Sequence, residues 1–292
     1  MSVMDPLLNA FSSLFEVIRR FWEKESTHRF VSRLLVITFI AALAAIEMNR
    51  QGWLPQFLAG RTPTSHYMAI NLAFSLVLIL EVISMIFTLP GSMSRALGKQ
   101  FEILALIFLR TAFKELSYLP EPMDVSGHND VLWHILSYGG GAVVIFALLG
   151  LYRLCLERLD ETIAPGPALD RFIKAKKCVS LLILVIFTGM GLYSGWHFFR
   201  GGHEFHFFKS FYTVLIFSDI FLVLIAQSFL PRFPAVFRNS GYALATLLIR
   251  MSLTSPIYYN VLIGIASVIF AIVLTAVYNR FYTLEKETDK NE

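Results

Sequence analysis

Apolar runs close to the thickness of a bilayer dominate this chain. A helix crossing a hydrocarbon core of roughly 30 Å needs about 20 residues that are mostly apolar. Eight segments approach that requirement, near 32–48, 67–89, 101–117, 131–152, 178–196, 207–230, 240–256 and 260–279. The third and seventh are short, and each carries an arginine, Arg110 and Arg250. Hydropathy by itself would leave those two in doubt.

Loop charges decide the matter. With a cytoplasmic N-terminus and eight spans, 18 lysines and arginines fall inside, five fall outside, and Arg110 and Arg250 stay within the membrane. Such a bias follows the positive-inside rule. Removing only the third or only the seventh segment would invert everything after it. The expected fold is therefore all-α: a polytopic membrane helix bundle of eight transmembrane helices, with both termini cytoplasmic. A bacterial cytoplasmic membrane is the expected location. Only 16% of residues are charged, against about 25% in soluble domains. No compact apolar segment followed by a small-residue cleavage site marks the first 30 residues, so the first span is expected to direct insertion. The two cysteines, Cys155 and Cys178, fall near cytoplasmic helix ends, where a disulfide is not expected.

Ahead of the first span, Leu7, Phe11, Leu14, Phe15, Ile18 and Trp22 recur at helical spacing. Residues 4–24 thus read as an amphipathic helix on the cytoplasmic leaflet. It would serve as an interfacial anchor or, alternatively, dock a protein partner.

The two halves share ordered landmarks. Arg29-Phe30 corresponds to Arg171-Phe172, and Gly52-Trp53 to Gly195-Trp196. Leu89-Pro90 corresponds to Leu230-Pro231, Arg110 to Arg250, and Leu151-Tyr152 to Val277-Tyr278. Four helices return a chain to its starting side, so the halves would be parallel repeats about an axis along the membrane normal. The resulting organisation is an interfacial helix over 1–28, a four-helix repeat over 29–158, a linker over 159–177, a second repeat over 178–282 and a charged tail over 283–292.

Charges inside a membrane are costly, by roughly 2.5–3.5 kcal/mol on insertion scales. Four stand out: Glu81, Arg110, Asp219 and Arg250, one acid and one arginine in each half. Depths counted from the expected helix ends place all four near one level. They read as buried salt bridges joining the second helix to the third and the sixth to the seventh, or as pairs crossing between halves. The functional alternative is a polar pathway or proton-coupled site at the repeat interface. Arginine cannot release a proton, so Glu81 or Asp219 would have to titrate.

Six of the seven histidines fall on the expected outer face. His66, His128, His197, His203, Glu204 and His206 could together hold a divalent metal there, although their spacing fits no strong signature. Haem would need histidines facing one another within the bundle, and only His134 approaches such a place. No other cofactor is expected. Gly139-Gly140-Gly141 reads as a close helix contact. No phosphate loop, nucleophile elbow or paired-cysteine motif is present, so catalysis is not expected, nor is nucleic-acid binding. The reading that follows is a small transporter or channel-like protein with a polar intramembrane site. The alternative is a non-transporting membrane scaffold or complex subunit, with a protein partner held by residues 4–24 or by helix surfaces. Either could form homo-oligomers.

Overall fold

The structure, a computed structural model, describes residues 4–60, 62–119, 129–156, 167–199, 207–229 and 233–288. Among these residues there are nine helices of 19 residues or more, one short α-helix, one 3-10 turn at Leu116–Tyr118 and no strand. They are α1 (Met4–Trp22), α2 (Glu25–Arg50), the short α3 (Gln56–Ala59), α4 (Tyr67–Thr88), α5 (Met93–Glu115), α6 (Asn129–Leu156), α7 (Pro167–Phe199), α8 (Phe207–Phe229), α9 (Phe233–Thr254) and α10 (Tyr259–Thr288). Each of the eight apolar segments lies on one of these helices, apart from a residue or two at some ends.

Five helices are long and apolar enough to cross a bilayer: Glu25–Arg50, Tyr67–Thr88, Asn129–Leu156, Asp170–His197 and Tyr259–Phe281. A shorter apolar stretch, Ser210–Ala226, lies within α8. The helices are compatible with an integral membrane protein. α5 and α9 do not reach that apolar standard, yet they have 23 and 22 residues, about 33–35 Å of helix.

Their placement explains their composition. α5 is buried on two faces. Leu97, Phe101, Leu104 and Phe108 join a core made with α6, α9 and α10. Ala96, Ile103 and Ile107 join a second core made with α4, α7 and α8. A helix shielded by neighbours can carry polar groups that a lipid-facing helix cannot. α2 is the opposite case, with Ile46 its one buried residue.

Helix starts lie earlier than the apolar runs suggest. Ser92 caps α5, its hydroxyl accepting from the Arg95 amide, so the helix begins at Met93 and not near 101. α7 opens at Pro167, where a fixed φ and a missing N–H suit a first helical turn. Residues 167–177, expected as linker, therefore belong to a helix.

Antiparallel neighbours α5 and α6 are pinned at both ends. Tyr152 Oη donates to the Ser94 carbonyl at 3.0 Å, and His134 Nδ1 meets Glu115 Oε2 at 3.1 Å. α6 and α10 run parallel. Asn260 Nδ2 donates to Tyr138 Oη near their starts, and Asn279 Nδ2 donates to the Cys155 carbonyl near their ends, both at 2.9 Å. Of the three consecutive glycines, Gly141 is the close-approach position: a Cβ there would run into the Val261 side chain on α10, whereas Gly139 and Gly140 face open space.

The amphipathic N-terminal helix splits its apolar residues between two faces. Phe15 is fully buried against Phe87 and Leu181, and Ile18 and Trp22 pack beside it. Glu16 pairs with Lys177 on α7 at 2.8 Å. Phe11, Leu14, Val17 and Phe21 remain exposed. α1 is thus clamped onto α4 and α7 by one face and presents a second apolar face outward.

Candidate functional site

The four charges Glu81, Arg110, Asp219 and Arg250 do not form two equivalent pairs. Glu81 on α4 binds Lys99 on α5 at 2.7 Å. Lys99 also binds Glu102 at 2.8 Å, and Glu102 receives Arg153 from α6. This network corrects the expected pairing of Glu81 with Arg110. The cause is the true start of α5. Glu81 lies eight residues before Leu89 and Lys99 seven after Ser92, so the two share a level about 11–12 Å from the α4–α5 turn. Arg110 lies 18 residues after Ser92, about 27 Å along its helix, far above Glu81.

The second half behaves differently. Asp219 on α8 is 5% exposed, and Arg250 on α9 is 3% exposed. Arg250 is the cation that acts on Asp219, and Thr246, one turn before Arg250, lies within reach of the same carboxylate. The Arg250 guanidinium is not consumed by that acid. Its Nη2 donates to Gln100 Oε1 on α5 at 3.0 Å, and its Cζ sits 5.6 Å from the centroid of the Tyr212 ring on α8. Side chains lean toward the N-terminus of their own helix, which lets Arg250 reach back to Gln100. Arg110 also acts on the Tyr212 phenol. Tyr212 therefore has one guanidinium from α5 and one from α9 in its surroundings.

Among the described residues, Asp219 Oδ2 and Arg250 Nε are buried and lack a hydrogen-bond partner. Buried polar groups are nearly always paired, and an unpaired one costs about 1–3 kcal/mol, more if charged. α7 brings Ile183 and Phe187, which pack with Phe211, Leu215 and Leu222 of α8.

Several members of the cluster escaped the sequence reading. Lys99 and Gln100 precede the third apolar run, near 101–117, because charge and polarity lower hydropathy at the start of α5. The signal that could have recovered them is Pro90-Gly91-Ser92, a helix stop followed by an N-cap. Tyr212 is one aromatic among many in its segment, and no sequence signal singles it out.

A second polar group lies at the other end of α5. Glu115 and His134 pair there, and the His134 ring lies 5.8 Å from that of Tyr258. Tyr258 sits in the α9–α10 turn at φ +72°, a conformation that is strained for a bulky residue. Ser252 Oγ donates to the Asn260 carbonyl at 2.6 Å just below.

Of the proposed outer-face metal ligands, His128, His203, Glu204 and His206 lie outside the described residues. His66 has Nε2 at 3.3 Å from Glu47 Oε2 and Nδ1 at 3.1 Å from Arg50. His197 packs on Tyr193 one turn back, with ring centroids 4.8 Å apart. Among the described residues no three His, Cys, Asp or Glu side chains gather into a metal-binding group.

The chain matches no protein family, no curated protein sequence and no solved structure.

Proposed function

We propose that this protein is a small secondary transporter, with eight spans and cytoplasmic termini. Its polar site lies where α8 and α9 meet α5. The observation that carries this reading is the Asp219 carboxylate: buried, one oxygen without a donor among the described residues, beside an arginine held by two other helices. Ionisable groups inside membrane bundles are costly, and they mark substrate, ion and proton pathways. Glu81 differs in having the Lys99 ammonium 2.7 Å from its carboxylate.

The duplication gives the site its position. α2, α4, α5 and α6 form one four-helix unit, and α7, α8, α9 and α10 form the other. Each packs its helices in chain order, α5 meets α9, and α6 meets α10. The parallel run of α6 and α10 agrees with three intervening spans, α7, α8 and α9. In this reading the halves have diverged. The first spends its acid on Lys99, while the second keeps Asp219 available.

Reconstituted into liposomes with a pH-sensitive dye inside, the protein is expected to couple a solute gradient to proton movement. Asp219→Asn should abolish that coupling while leaving the folded protein intact. Proton flux unchanged by Asp219→Asn would remove the site from the mechanism.

A second reading is a membrane complex subunit, favoured by α2, in which only Ile46 is buried, and by the exposure of Phe11, Leu14, Val17 and Phe21. A stoichiometric protein that co-purifies in mild detergent and is lost on Phe11→Ser/Leu14→Ser substitution would support it.

A further inference from the structure

We infer that the Asp219–Arg250 site takes a small zwitterion bearing one ammonium and one carboxylate, the class to which α-amino acids belong. This rests on the transporter reading and adds the class of its substrate.

Two buried groups of opposite charge carry the argument. Asp219 on α8 is 5% exposed, and Arg250 on α9 is 3% exposed. Arg250 is near enough to act on Asp219 as its cation. Yet among the described residues Asp219 Oδ2 has no donor and Arg250 Nε has no acceptor, so these two atoms do not bond each other. An acid and an arginine that close on one another form charge-assisted hydrogen bonds, which are the strong ones. Here each member has a second attachment. Thr246 lies within reach of the Asp219 carboxylate, and Gln100 on α5 accepts from Arg250 Nη2 at 3.0 Å. The pair therefore presents one negatively charged acceptor and one positively charged donor, side by side and both unused.

A ligand that satisfies both atoms brings a donor to Asp219 and an acceptor to Arg250. Charge selects among such ligands. The pair is neutral in sum, and an uncompensated ion in a buried place is costly. A lone carboxylate would suit Arg250 but meet repulsion from Asp219. A lone ammonium would suit Asp219 and meet repulsion from Arg250. A zwitterion sets each of its charges against the opposite one and adds no net charge. Leu215 and Leu222, one turn to either side of Asp219, are buried and bring no charge of their own. They favour a short, uncharged side chain on the ligand.

The test uses the full chain in mild detergent at constant ionic strength, with thermal unfolding as the readout. The probes are L-alanine, propionate, which lacks the ammonium, and ethylammonium, which lacks the carboxylate. L-alanine should raise the melting temperature in a saturable way. Each fragment should need about tenfold more, or higher still, to match it. Asp219→Asn should weaken the apparent affinity for L-alanine about tenfold or more while leaving the response to propionate no weaker. Should Asp219→Asn fail to fold, the three probes on the unaltered chain carry the test. Propionate or ethylammonium equal to L-alanine would overturn the proposal, because recognition would then be one-ended. No response to any probe would overturn it as well, and would leave the two atoms to a bridging water. Proton flux in liposomes that still depends on Asp219 would keep the transporter reading through either failure. Flux that Asp219→Asn leaves unchanged would remove that reading instead.

Discussion

Gln100 on α5 accepts a hydrogen bond from Arg250 on α9, 150 positions later in the chain, with 3.0 Å between Oε1 and Nη2 and both residues 3% exposed. Hydrogen bonds to charged groups are worth about 1.5–3 kcal/mol. Gln100→Leu should therefore destabilise by about 2 kcal/mol, since a guanidinium is left short of an acceptor in a buried place. Unfolding in mixed micelles of increasing denaturing detergent would measure it. A loss below a few tenths of a kcal/mol would mean that Arg250 finds another acceptor.

The network of Glu81, Lys99 and Glu102 permits a comparison between two double mutants. Residues in one ion network couple by about 0.5–3 kcal/mol, whereas distant ones add. Lys99→Met with Glu81→Leu should be milder than the sum of the single changes. Arg110→Leu with Glu81→Leu should be additive. Coupling in the second pair and not in the first would restore the pairing that the sequence suggests.

This pair also marks how far the sequence could be read. The apolar segments are sound as helix locations because burial in lipid or core leaves a long hydrophobic record. Helix starts are not, because the charged first turns of α5 and α7 look like loops to any hydropathy average. Depths counted from those false starts put Glu81 and Arg110 at one level. Counting from them gives Glu81 the wrong partner and leaves Lys99 and Gln100 outside the helix. Asp219 and Arg250 are legible because a charge in an apolar run is conspicuous, and Tyr212 is not because a tyrosine there is ordinary.

Docking of α1 carries a pH dependence with a definite sign. The Lys177 ammonium bonded to Glu16 holds the Glu16 carboxyl below its usual range. A depressed folded value gives stability that is present above the unfolded value, about 4.3, and is lost as pH falls through the folded one. Both residues are partly exposed, so the contribution is at most about 1 kcal/mol. Protease cleavage within residues 4–22 should accelerate below about pH 4, and Glu16→Gln should show the faster cleavage already at neutral pH. Equal cleavage of the two proteins at neutral pH would remove the pair from the docking of α1.

Close approach of α6 and α10 depends on Gly141. A Cβ there meets Val261, and overpacking of this kind costs about 1–3 kcal/mol. Gly141→Leu should lower stability by that amount, while Gly140→Leu, which faces open space, should change little. Circular dichroism during thermal unfolding separates the two, and similar losses would contradict the packing described for α6 and α10.

Water access to Asp219 is the most direct test of an intramembrane polar site. In a background with the free cysteines Cys155 and Cys178 replaced by serine, Asp219→Cys would be exposed in membranes to a small, water-soluble, negatively charged thiosulfonate. Leu222→Cys, at a fully buried core position one turn on, serves as the comparison. The account predicts that cysteine at 219 is modified, that cysteine at 222 is spared, and that the negative reagent outpaces its positive counterpart at 219. Equal protection at both positions would contradict it.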